Sequence, residues 1–148
     1  MTMMLSRSHR DCVRTYGTLL GRILIGLLFF FSGIGILMMG PENTAGFYED
    51  LGIPMAGLMV WLVVAVKLVA GGALMAGYRT GLASATLIGF TLVATVLAHL
   101  DLEDPNLFKN LAIIGGLLYT MAYGAGDGWS VDGGSDDVVT IPDSADQM

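Results

Sequence analysis

A single cysteine, Cys12, excludes an internal disulfide and a Cys-x-x-Cys redox pair. The two histidines, His9 and His99, flank opposite ends of the apolar region, and no group of His, Cys or carboxylates has ligand spacing. Neither a metal nor a haem with two histidine ligands is therefore expected. No glycine-rich phosphate loop, dinucleotide fingerprint or nucleophile elbow occurs, so no nucleotide cofactor is expected, and no nucleic-acid partner. Charge is scarce as well: 14% of the residues are charged, against roughly a quarter in soluble domains.

What remains is apolar and arranged in blocks. Four stretches, Leu19–Met39, Pro54–Gly77, Leu82–Leu100 and Leu107–Tyr123, have the length of about 17–25 residues that crosses a bilayer. They take up over half the chain and leave no room for a soluble catalytic domain. Lipid offers no water to backbone groups, so the spans should be helices. Three short connections then predict an all-α membrane protein, with four transmembrane helices in an up-down-up-down bundle. Ser32-Gly33-Ile34-Gly35 is not followed by a convincing cleavage site, so the first span is expected to be retained.

Charge sets the orientation. Arg7, Arg10, Arg14 and Arg22 precede or just enter the first span, and Arg79 lies in the second loop. The first loop has no Lys or Arg. Orientation follows these residues rather than the net charge of −6, so both termini are expected in the cytoplasm and the protein in the cell membrane. Residues 1–18 read as a basic, poorly ordered N-terminal segment, 19–132 as the membrane domain, and 133–148 as an acidic, disordered tail without Lys or Arg. Gly40-Pro41 should end the first helix, followed by the loop PENTAGFYEDLGIP. Small residues mark candidate helix contacts: Gly17 with Gly21, Gly26, Gly33 with Gly35, Gly71 with Gly72, and Gly115 with Gly116.

The spans contain few polar groups and no Asp or Glu. Lys67 lies about 15 Å from either end of its span. An ammonium at that depth costs roughly 2.5–3.5 kcal/mol on insertion scales. With no acid at its level, it needs backbone carbonyls, hydroxyls, a water-filled cavity, loop carboxylates reached by snorkelling, or the neutral state. Thr91, Thr95 and His99 lie on one helical stripe. A threonine in a helix commonly bonds the carbonyl one turn back. His99 sits beside Asp101, Glu103 and Asp104, across a short loop from Lys109 and Asn110. This cluster reads either as an interfacial histidine beside a snorkelling lysine or as a site for a polar head group such as a quinone carbonyl. In the second reading His99 exchanges a proton. The candidate ligand residues are His99, Lys109 and Asn110, with Lys67 as an intramembrane functional candidate and Ser32 and Thr95 as secondary ones.

GRILIGLLFFFSGIGIL, a loop ending LGIP, GGALMAG, LVATVLAHL, NLFKNLAIIGGLL and WSVD occur in this order between Gly21 and Asp132. Together they resemble the DoxX family of small four-helix membrane proteins. The resemblance implies a link to thiosulfate:quinone oxidoreduction or quinol oxidase assemblies, or a role as membrane partner of soluble redox proteins. Ile36 stands where the family commonly has a lysine, and Lys67 where it commonly has a glutamate; His99, Lys109, Asn110 and Trp129 match. Three readings follow: a quinone-interacting subunit of an oxidoreductase complex, without a redox centre of its own; a scaffold recruiting soluble redox or stress-response proteins; and a small transporter with Lys67 lining an anion path. The expected partners are the lipid bilayer, soluble or membrane oxidoreductase subunits, and further copies of the chain in a homo-oligomer.

Overall fold

A computed structural model describes residues 2–132, with side-chain environments from Arg10 onward. The expectation for 133–148 lies outside the described residues. The described chain is all-helical: α1 Thr2–Met39, α2 Pro41–Asp50, α3 Ala56–Ala76, α4 Thr80–Ala98 and α5 Pro105–Tyr123. Among these residues α1 from Arg10, α3 and α4 are long and apolar enough to cross a membrane. The more polar α5 begins with Pro105, Asn106, Lys109 and Asn110 in its first two turns. At about 1.5 Å per residue its 19 residues still measure roughly 28 Å.

Two expectations need correction. The segment before Leu19 is not loose chain, because α1 runs unbroken from Thr2. The first connection is a fifth helix rather than a loop. Gly40, at a φ of 93°, turns the chain, and Pro41 starts α2 where a missing N–H costs nothing. Glu42 in the first turn complements the positive end of α2. Asn43 closes the corner, since its side-chain amide donates to the Met39 carbonyl at 2.6 Å.

The α3–α4 turn shows how sequence sets topology. Gly77 adopts a left-handed conformation at a φ of 70°, its N–H bonds the Leu74 carbonyl, and the Tyr78 N–H bonds that of Ala73. This paired pattern satisfies the last carbonyls of a helix and favours glycine. With three residues between them, α3 and α4 become neighbours. At the other end Asp104 caps α5, its carboxylate accepting from the Asn106 N–H at 2.8 Å, and Pro105 takes the first helical position.

Helix α1 packs on α3, α3 on α4, α4 on α5, and α5 returns to α1. The core contains Phe29, Ala70, Leu74, Ala83, Leu87 and Leu117, with Phe29 set edge-on to Phe90 at 6.3 Å. Gly26 and Gly71 allow the closest approach: a Cβ on Gly71 would stand 3.1 Å from the Gly26 carbonyl oxygen. Gly116 is a contact too, against Ile25, whereas among the described residues nothing lies within 4 Å of where a Cβ would stand on Gly17, Gly21, Gly35 or Gly115. The Gly17–Gly21 pair thus marks open space rather than a helix contact. Outward-facing positions carry Leu20, Leu24, Leu28, Phe31, Leu62, Val69, Val93, Val96 and Leu118, an apolar exterior suited to lipid rather than water.

Candidate functional site

Of the polar residues singled out above, Thr95, His99, Lys109 and Asn110 collect where α4 ends and α5 begins, whereas Ser32 and Lys67 lie apart from them. His99 Nδ1 lies 2.6 Å from Asp104 Oδ2. The other Asp104 oxygen accepts from both the backbone and side-chain amides of Asn106, each at 2.8 Å. Lys109 Nζ donates to Asn106 Oδ1 at 2.6 Å. A continuous chain therefore runs His99–Asp104–Asn106–Lys109. The Asn106 backbone N–H, followed by His99, holds the Asp104 carboxyl below the usual carboxylate range.

One turn further in, Asn110 and Thr95 form a buried pair. Asn110 Nδ2 donates to Thr95 Oγ1 at 2.9 Å, while the Thr95 hydroxyl proton goes to the Thr91 carbonyl at 2.7 Å. Thr91 and Thr86 likewise bond carbonyls one turn back, so Thr95 is distinguished by its second partner. Lys109 is exposed and Asn110 buried, so these sequence neighbours, about 100° apart around α5, point outward and inward respectively.

Lys67 is met by a hydroxyl and a ring. Its ammonium donates to Ser32 Oγ of α1 at 2.8 Å and stands 5.4 Å from the centre of the Phe90 ring. Aromatic faces attract cations electrostatically. Among the described residues neither Lys67 nor Lys109 has a carboxylate oxygen within 4.0 Å.

Sequence reasoning treats Arg22 as an orientation charge only. It is fully buried, with Nη1 donating to the Ala125 carbonyl at 2.9 Å and Nη2 to that of Trp129 at 2.6 Å. The segment after α5 is tied down twice more: Val131 N–H bonds the Ala76 carbonyl at 2.9 Å, and Arg79 N–H bonds the Asp132 carboxylate. WSVD thus forms part of a clasp beneath α1 and α3. An arginine three residues inside an apolar run is the available signal. Asn106 is a further member of the network that the sequence reading does not name, and Asp104 is there only one of three acids beside His99, although Asp-Pro-Asn before an apolar run announces a capped helix.

A bundle of apolar helices with a polar network at one end defines a small integral membrane protein. The DoxX family model matches residues 17–100, more than half of the chain, and the chain belongs to that family. The matched residues include Ser32, Lys67, Thr95 and His99; Lys109 and Asn110 lie beyond them. The chain is 30% identical to a Bacillus subtilis protein named "Putative oxidoreductase CatD", over 55% of this chain and 58% of that protein. The match thus covers under two thirds of CatD. The chain is 29% identical to "Uncharacterized membrane protein Rv3486" of Mycobacterium tuberculosis, over 75% of this chain and 76% of that protein. No solved structure matches.

Proposed function

We propose that this DoxX protein is a membrane subunit of a quinone-linked oxidoreductase system of the thiosulfate:quinone or quinol oxidase type. In this reading α1, α3, α4 and α5 cross the cell membrane up-down-up-down with both termini in the cytoplasm. The distribution of charge supports that orientation. Arg10, Arg14, Arg22 and Arg79 lie toward the end closed by residues 124–132, while Glu42, Glu49, Asp50, Asp101 and Glu103 lie toward the other.

The observation that carries the proposal is the His99–Asp104 pair, set one helical turn from the buried Asn110–Thr95 pair. A quinone head needs donors for its carbonyl oxygens and, on two-electron reduction, two protons. Lys109 and Asn110 supply donors, and His99 can pass a proton while Asp104 holds its ring. Lys67, held by Ser32 and the Phe90 ring, remains a separate intramembrane functional candidate in this reading. In this reading the electrons come from a partner oxidoreductase. Similarity to CatD, named as an oxidoreductase, supports this class.

The test is quinone affinity in reconstituted bilayers, compared between wild type and His99→Ala. A loss of about tenfold or more with thermal stability retained is expected; unchanged affinity removes the site assignment. The Arg22 clasp favours a second reading, a scaffold that recruits soluble redox or stress-response proteins. It fixes the segment leading into the acidic residues 133–148 against the bundle. Deleting 133–148 should then release a bound soluble partner, and retention would argue against that segment as the dock.

A further inference from the structure

Arg10, Val13, Arg14, Gly17 and Thr18 recur every three or four residues and so share one side of α1. With Tyr119 of α5 they wall an open groove of about 460 Å³. Among the described residues nothing lies within 4 Å of the position a Gly17 Cβ would take, so they leave the middle of the groove unfilled. Arg10 and Arg14 are exposed, and Tyr119 is braced by Tyr123 with ring centres 4.4 Å apart.

Depth narrows the occupant. If Leu19 marks the edge of the hydrocarbon, Arg14 and Arg10 lie about 7 and about 13 Å outside it along the helix. The polar layer of a bilayer is roughly 5–8 Å thick on each side. Arg14 is therefore level with lipid phosphates, and Arg10 stands just beyond. The guanidinium fork suits phosphate oxygens. Nearer the hydrocarbon edge, Gly17 and the Tyr119 ring offer an apolar wall to the glycerol and the first acyl carbons, while Val13 lies level with the headgroup.

We infer that this groove binds one anionic phospholipid, its phosphate held between Arg10 and Arg14. The groove meets the last turns of α5, whereas Lys109 and Asn110 occupy its first turns. A failure here is therefore separable from a failure of the quinone reading.

Native mass spectrometry of the full chain, released from nanodiscs containing phosphatidylglycerol and phosphatidylcholine, is the test. Wild type should retain one phosphatidylglycerol in preference to phosphatidylcholine. Arg10→Gln with Arg14→Gln should lower that retention about thirtyfold, because each basic residue near an anionic surface contributes roughly fivefold. Gly17→Leu fills the open groove without removing charge and should also displace the lipid while leaving Tm unchanged. Equal retention of both lipids, or retention unaffected by both variants, overturns the proposal. Displacement of the lipid from wild type by millimolar inorganic phosphate would reassign the groove to free phosphate and overturn the lipid assignment.

Discussion

Lys67 of α3 and Ser32 of α1 are joined by a hydrogen bond of 2.8 Å between two apolar helices. A bond to a charged group contributes roughly 1.5–3 kcal/mol, more than a neutral one. Ser32→Ala should therefore lower stability by about 1–2 kcal/mol, because Lys67 is left with the Phe90 ring alone. Lys67→Met should cost less or even stabilise, since a cation in lipid is itself unfavourable. The double variant should match Lys67→Met. Thermal unfolding of all four proteins in one detergent measures the coupling, and additive losses would show the bond to be idle.

The Asp104 carboxylate, bonded first by the Asn106 backbone N–H and then by His99, predicts a pH dependence. The folded Asp104 carboxyl lies below its ordinary value. Its contribution to stability is thus complete above the ordinary carboxylate range and is lost as pH falls through the lowered folded value. Asp104→Asn retains a good helix cap but removes the charge. It should be less stable than wild type at neutral pH, with the gap closing under acid. A gap that does not change with pH would show that the carboxylate charge has no part in the pairing.

Arg22 predicts a local unfolding event. Its guanidinium makes two charge-assisted bonds to carbonyls, at 2.9 and 2.6 Å. Arg22→Met keeps much of the apolar stem but frees residues 124–132. The Val131 amide, bonded to Ala76, should then exchange its hydrogen at least tenfold faster, while amides in the middle of α3 keep their protection. A uniform increase across α3 would instead mean that the arginine supports the whole bundle.

These residues also show what can be read in advance. Helices α3 and α4 fall within two residues of the expected spans, because long uniform apolar runs leave one solution in lipid. Helix α2 buries no residue and so carries no apolar stripe to reveal it, although Gly40-Pro41-Glu42 signals a helix start. His99 and Asp104 are loop neighbours, and their proximity is legible. The Asn110–Thr95 bond depends on the register between α4 and α5, which spacing alone does not give. The partners of Arg22 are backbone carbonyls, and every residue carries one, so the sequence cannot mark Ala125 and Trp129 as acceptors.

The glycines offer a last contrast between pattern and packing. Gly21 and Gly71 both lie in helices and both read as contact residues in the sequence. Only Gly71 faces backbone: a methyl carbon added there would stand 3.1 Å from both the Gly26 oxygen and the Phe30 nitrogen. Backbone cannot swing aside as a flexible side chain can, so Gly71→Ala should push α1 and α3 apart and cost about 1–3 kcal/mol. Gly21→Ala meets open space and gains the higher helix propensity of alanine, up to about 1 kcal/mol. Thermal unfolding of the two variants should therefore move in opposite directions from wild type. Equal losses would mean that Gly21 has a neighbour in the membrane, such as a second copy of the chain, which would also reopen homo-oligomerisation through the Gly17–Gly21 face.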